Sequence, residues 1–119
     1  MCIDEIFAAI KSERAAQENK WGEQNHPMLP VLTYSPIALS SSAVAVKICA
    51  ELGIPTEGRA KELTDLRAQQ GELSYFHILQ EEVSEAVCAL DDYESMRKEL
   101  IQVAAVTVAM IQALDRNGR

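Results

Sequence analysis

The stretch at residues 78–102, ILQEEVSEAVCALDDYESMRKELIQ, places glutamates in a pattern that predicts two neighbouring helices. Each residue of an α-helix turns by roughly 100°, so Glu82 and Glu85 lie on one face, with Glu81 close by. Glu99 begins a second segment, which is apolar on nearly every side. Carboxylates that converge from two helices offer the oxygen ligands that hard divalent cations prefer. This stretch therefore indicates a cation site.

The glutamates also have a simpler interpretation. Glutamates three residues apart on a helix are usually solvated, and an acid in the first turn of a helix, such as Glu99, stabilises that helix by itself. However, Gln102 follows one turn later in a segment whose other side chains are mostly apolar. A buried charge without a partner is very costly. A cation shared by both helices would supply that partner, and both interpretations stay open at this point.

Composition bounds the class of protein. The chain has 119 residues, of which 48% are hydrophobic, so we expect a single domain over residues 1–119 with a real core. The formal net charge of -7 argues against binding to a nucleic-acid polymer, which requires a basic surface. A nucleotide is still compatible with this charge, because a bound metal ion reverses the local electrostatics.

The cysteines, the first residues of the chain and the length of its apolar run predict a cytoplasmic protein with no membrane segment. Cys2, Cys49 and Cys88 are far apart in sequence and show neither zinc-site spacing nor a disulfide framework, so we expect reduced thiols in the cytosol. The first residues carry acids where a signal peptide carries bases. The apolar run at 103–111 is too short to cross a bilayer.

Hydrophobic periodicity predicts an all-α fold with four main helices and one or two short ones. A loop rich in proline and serine is expected at 27–42. Ser74 is a good N-cap, and Asp91–Asp92 is expected to end the helix that follows it. The predicted helices cover residues 3–21 with a stop at Gly22, 43–52, a segment from Pro55 or Thr56 to Gly71, about 75–92, and about 94–115.

The last of these helices predicts an oligomer. Between residues 100 and 114 the only polar side chains are Gln102, Thr107 and Gln112. A helix that is apolar on all sides is buried by more than one neighbour. In so short a chain, we expect some of those neighbours to come from another subunit.

The acidic pattern also resembles a known family. EEVSE at 81–85, thirteen further residues and then ELIQ at 99–102 resemble the EExxE–ExxD signature of the MazG-like nucleotide pyrophosphohydrolases, which belong to the all-α NTP pyrophosphatase superfamily. The first half matches at all three glutamates. The second half matches at Glu99, whereas Gln102 stands where the family usually has aspartate.

Two further segments carry the same resemblance. ERAAQENKWGEQNHP at 13–27 and ELIQVAAVTVAMIQAL at 99–114 look like one branch of the MazG-like proteins. The resemblance thus covers about residues 10–27 and 73–115. It implies a MazG-like helical bundle that forms a homodimer or homotetramer. It also implies hydrolysis of a nucleoside triphosphate to the monophosphate and pyrophosphate. The implied cofactor of this reaction is Mg²⁺, with Mn²⁺ as a possible replacement.

The resemblance also implies roles for individual residues. Glu82, Glu85 and Glu99 would be metal ligands, and Gln102 would be a neutral ligand or a group that supports one. Glu81 would orient or deprotonate the attacking water. The replacement of aspartate by Gln102 removes one negative charge, which favours an alternative: a catalytically silent MazG-like module for interaction or nucleotide sensing.

Residues near the end of the first helix are the best candidates for the substrate side. Arg14 and Lys20 would meet phosphates, Trp21 would stack on a base, and Asn25 would hydrogen-bond base or sugar. Gln17 lies on the same side of the predicted helix as Arg14, Lys20 and Trp21. An alternative for Trp21 is that its ring simply closes the core.

Overall fold

The structure is a computed structural model that describes residues 2–32, 40–90 and 92–118. These residues contain five α-helices and no β-strand, which confirms the all-α prediction. The helices are α1 (Ile3–Trp21), α2 (Ser41–Leu52), α3 (Glu57–Gln69), α4 (Tyr75–Cys88) and α5 (Tyr93–Asn117). Of the loop predicted at 27–42, residues 33–39 lie outside the described part, and α2 already begins at residue 41. Each helix in the described ranges is too short or too polar to cross a bilayer.

The chain divides into two compact units. One comprises Met1–Pro27 with Thr107–Arg119, and the other comprises Met28–Val106, so the boundary falls inside α5. In the first unit the buried hydrophobic residues are Ile6, Val108 and Ala113. That residues 1–119 form one domain stays a prediction.

The second unit is organised around α4. This helix packs against α3 and α2, and its buried positions are Ser84 and Ala86. Ser84 is fully buried, and its hydroxyl donates a 2.8 Å hydrogen bond to the carbonyl oxygen of Pro55 in the connection between α2 and α3. Because a buried hydroxyl needs a hydrogen-bond partner, this bond fixes α4 against that connection.

The helix ends follow local sequence. Gly22 ends α1 with a φ of +69°, and its N–H donates to the carbonyl oxygen of Glu18 at 2.7 Å. Ser74 caps α4 as predicted, and His77 completes a capping box by accepting a hydrogen bond from the backbone N–H of Ser74 at 3.1 Å. Such reciprocal capping satisfies two backbone donors that the helix leaves unpaired.

The predicted end of α4 at Asp91–Asp92 is wrong. The helix ends at Cys88, and Leu90 has a φ of +48°, a left-handed conformation that does not continue a helix. Asp92 instead caps the start of α5, because its carboxylate accepts a hydrogen bond from the N–H of Ser95 at 3.0 Å. Aspartate is a favoured residue at a helix start for this reason. Asp91 lies outside the described residues.

Candidate metal centre

Three glutamates from two helices converge in the second unit. Glu82 and Glu85 lie one turn apart on α4. Glu99 lies on α5 beyond its first turn, whose acid is Glu94, so the interpretation of Glu99 as a first-turn acid is wrong. One carboxylate oxygen from each lies within 4.8 Å of the other two. Oxygens bound to one cation at 2.0–2.6 Å are at most about 5 Å apart. Spacing on one helix predicts the approach of Glu82 to Glu85, and the family resemblance implied the approach of Glu99. The separation of the three carboxylates fits a shared ion.

Two of the carboxylate oxygens are buried without a donor. Oε2 of Glu82 and Oε2 of Glu99 are shielded from solvent and accept no hydrogen bond from any described residue. Buried polar atoms are normally paired, and an unpaired carboxylate in the interior is costly. Exposed acidic clusters are common without a metal. Here, burial of oxygens that lack a donor distinguishes the cluster from a solvated acidic surface.

The electrostatics of the cluster oppose full ionisation. Burial raises the pKa of Glu85 to about 7, and the neighbouring carboxylates of Glu82, Glu99 and Glu81 add to the rise. Burial is also the main cause that raises the pKa of Glu82, followed by the charge of Glu99. A proton on Glu85 thus takes the place of a positive charge, and a cation would release that proton.

Gln102 and Glu81 flank the three glutamates. Gln102 is half-buried and lies one turn after Glu99 on the same helix. Glu81 is half-buried, and its charge contributes to the raised pKa of both Glu82 and Glu85, so it lies near the cluster. The roles of both residues stay predictions.

The candidate substrate residues all belong to the first unit. Nη1 of Arg14 donates to Oε1 of Gln17 at 2.6 Å, and Nζ of Lys20 lies 4.8 Å from the centre of the Trp21 ring. Nδ2 of Asn25 donates to Oε2 of Glu23, a residue that the sequence analysis did not single out, at 3.3 Å. The Trp21 side chain is 55% exposed, which contradicts the alternative that it closes the core of this chain.

Sequence reasoning missed a cavity on α5. Its volume is about 240 Å³, and its lining residues are Met28, Tyr93, Met96, Arg97 and Leu100. The four members on α5 follow the i, i+3, i+4, i+7 spacing of one helix face, so this face could have been found from the sequence. It combines an aromatic ring, a guanidinium and apolar side chains.

Sequence reasoning also missed a pair of thiols. The Sγ atoms of Cys49 on α2 and Cys88 on α4 lie 4.0 Å apart, although 38 residues separate them in the sequence. The proximity depends on how α2 packs against α4, and no spacing rule predicts that packing.

Comparison of the chain with protein-family models, with curated proteins and with solved structures finds no match. The family resemblance thus rests on the motifs at 13–27 and 81–102 and on the apolar tail of α5.

Proposed function

We propose that this chain is a MazG-like, Mg²⁺-dependent nucleoside triphosphate pyrophosphohydrolase that converts a (d)NTP to the (d)NMP and pyrophosphate. The observation that carries the proposal is the convergence of Glu82, Glu85 and Glu99, with two buried oxygens that lack donors. Mg²⁺, or Mn²⁺ in its place, would be held by these three carboxylates. Bound there, the cation would neutralise charge on phosphate oxygens and favour ionisation of a water molecule.

The remaining residues of the cluster have distinct proposed roles. The carboxylate of Glu81 orients a water molecule and accepts its proton as the oxygen attacks the α-phosphorus. The bond between the α-phosphorus and the bridging oxygen breaks, and pyrophosphate leaves. Gln102 serves as a neutral ligand or as a hydrogen-bond partner of one.

The substrate side of the proposal rests on α1. Arg14 and Lys20 carry the positive charge that phosphates need, Gln17 and Asn25 supply amides, and the exposed Trp21 ring offers a stacking surface. Three free cysteines fit the reducing environment of the cytosol, which is the location that we propose.

A homodimer or homotetramer is part of the same proposal. On α5 the side chains of Leu100, Ile101 and Leu114 are between 45% and 54% exposed, and Phe76 at the start of α4 is 70% exposed. Large apolar areas are rarely left in water by a monomer. Light scattering at micromolar protein should return the mass of a dimer or a tetramer, and a monomer mass would contradict this part of the proposal.

The direct test is an activity panel. The protein is incubated with Mg²⁺ and with canonical and damaged (d)NTPs, and the products are separated. Equal amounts of monophosphate and pyrophosphate are expected from the preferred substrate. Formation of diphosphate and orthophosphate would mean that a different bond is cleaved, and the proposed reaction would be wrong.

The alternative function is a catalytically silent MazG-like module for interaction or nucleotide sensing. The observation that favours it is Gln102, which supplies a neutral oxygen where the family usually has a carboxylate. The two functions differ in one outcome. A silent module binds Mg²⁺ or a nucleotide, as seen by a rise in melting temperature, yet releases no pyrophosphate from any member of the panel.

Gln102→Asp is expected to tighten Mg²⁺ binding by about tenfold, which corresponds to about 1.4 kcal/mol, because a charged oxygen then faces a hard cation. Without metal, the same variant should melt at a lower temperature than the wild type, because a fourth carboxylate adds like-charge repulsion. Saturating Mg²⁺ should shrink that deficit. Isothermal titration with Mg²⁺ and melting curves measure both effects. Unchanged affinity in the variant would place Gln102 outside the metal centre.

A further inference from the structure

Cys49 and Cys88 form a thiol pair that the proposed hydrolysis does not use. Their Sγ atoms lie 4.0 Å apart in an S–H···S contact, and both cysteines are free. Cys49 is only 1% exposed, whereas Cys88 is half-buried. The chain also carries Cys2, which is exposed and free, so it offers a reference thiol on the same molecule.

Cys88 has a route to small molecules that Cys49 lacks. It lines a cavity of about 320 Å³, whose wall also includes Val46 of α2, Thr56, and Leu90 just after α4. A cavity of this size admits water and peroxide, because a single water molecule occupies about 30 Å³ in the liquid. Cys49 does not line this cavity and is buried, and burial raises the pKa of its thiol to about 11. An oxidant from solvent therefore reaches Cys88 before it reaches Cys49.

We propose that Cys88 is an oxidation site for hydrogen peroxide and that it forms a reversible disulfide with Cys49. Peroxide transfers one oxygen to Sγ of Cys88, giving a sulfenic acid and releasing water. Sγ of Cys49 then attacks Sγ of Cys88, so the S–S bond forms as the S–O bond breaks. The hydroxyl group leaves with the Cys49 proton as a second water. Two thiols are oxidised and one peroxide is reduced, so atoms and electrons balance.

The local structure permits the bond. A disulfide has an S–S length of about 2.05 Å, so the two sulfurs must approach by about 2 Å. Cys88 is the last residue of α4, and the chain leaves the helix at Leu90, whose φ is +48°. Movement of Cys88 therefore disturbs only the helix end. α2 and α4 already pack together, so no element has to be brought in from elsewhere.

The first experiment measures the bond directly. Cys2→Ser protein is treated with hydrogen peroxide, unfolded, alkylated with N-ethylmaleimide and analysed by mass spectrometry. The expected result is the loss of two hydrogens, no alkylation, and a peptide that joins residues 49 and 88, with full recovery of two alkylation sites after dithiothreitol. The same protein treated in urea should form the bond more slowly, because only the folded chain holds the sulfurs together.

Two variants test the proposal even if the disulfide forms slowly. In Cys49→Ser, Cys88 should accumulate as a sulfenic acid that dimedone traps; in Cys88→Ser, Cys49 should resist peroxide. A wild-type chain in which Cys2 and Cys88 are oxidised without any 49–88 linkage would overturn the proposal. So would equal rates of linkage in the folded and the urea-treated protein.

Melting temperature gives a readout that does not depend on activity. A disulfide across this separation constrains the unfolded chain, so the oxidised protein should melt higher, by on the order of 10 °C for a chain of this size. Cys49→Ser treated with the same peroxide should show no such rise. An oxidised wild-type protein that melts no higher than peroxide-treated Cys49→Ser and yields no 49–88 peptide would overturn the proposal.

Discussion

Replacing Glu85 by glutamine is expected to lower turnover by at least about a hundredfold, because changes to groups that only support a metal ligand already cost about 10- to 100-fold. The variant should also lose the Mg²⁺-induced rise in melting temperature. One carboxylate oxygen of Glu85 lies within 4.8 Å of an oxygen of Glu82 and of an oxygen of Glu99. A neutral amide at this position leaves two carboxylates to hold the cation in place of three.

The same replacement should stabilise the protein in the absence of metal. Burial and like-charged neighbours raise the pKa of Glu85 to about 7, so the folded state opposes its ionisation. Glutamine removes that ionisation. Metal-free Glu85→Gln should therefore melt higher than the wild type at pH 8, by up to roughly 10 °C if the whole electrostatic cost is relieved. A change that removes function and raises stability is typical of a functional site.

Glu51→Gln is the matched control. Glu51 lies on α2 and is exposed, so this variant has the same change in charge outside the cluster. It should keep the turnover, the Mg²⁺ response and the metal-free melting temperature of the wild type, since surface substitutions usually change stability by about 0.5 kcal/mol or less. Melting curves with Mg²⁺ and with EDTA, together with the activity panel, test all three proteins. If Mg²⁺ stabilises Glu85→Gln as much as the wild type, the cation binds elsewhere.

The elements that could be predicted are those whose cause is local. The start and end of α1 follow from its apolar spacing and from Gly22, and the start of α4 follows from Ser74. The end of α4 was mispredicted because Asp91–Asp92 reads equally well as the end of one helix or the start of the next. The left-handed backbone at Leu90 decides between them, and a leucine gives no warning of it.

The features of the candidate site also divide into those that local sequence predicts and those that it does not. The convergence of Glu82 and Glu85 follows from helix geometry alone, whereas the approach of Glu99 depended on a family resemblance. The thiol pair of Cys49 and Cys88 requires the packing of α2 on α4, which joins residues distant in sequence. No local rule contains that information, so tertiary packing must be known first.

Between pH 4.5 and about 7, metal-free wild-type protein is expected to lose stability that Glu85→Gln retains. The pKa of Glu85 rises from its ordinary value of 4.5 to about 7 on folding, so the folded state binds more protons than the unfolded state over this range. Stability falls with rising pH wherever the folded state binds more protons. The contribution of protonated Glu85 to the free energy of unfolding is therefore fully present below pH 4.5 and is lost as pH rises through about 7.

The size of the effect follows from the same values. Each unit of pKa difference corresponds to about 1.4 kcal/mol, so the rise from 4.5 to about 7 is worth roughly 3 kcal/mol when complete. The pKa of Glu82 is raised as well and contributes with the same sign. Other acids of the chain add their own pH dependence, which the comparison with Glu85→Gln removes because both proteins share them.

The measurement is a set of melting curves in EDTA from pH 4.5 to 8.5 for wild type, Glu85→Gln and Glu51→Gln. The melting temperature of Glu85→Gln minus that of the wild type should increase with pH and level off above about pH 7. The same difference for Glu51→Gln, an exposed position on α2, is the reference curve. With Mg²⁺ present, the wild type should gain little at pH 5 and most at pH 8, because protons and the cation compete for the same carboxylates. A difference between wild type and Glu85→Gln that is independent of pH would mean that Glu85 ionises as an ordinary glutamate. The cluster would then lack the electrostatic cost that a cation relieves.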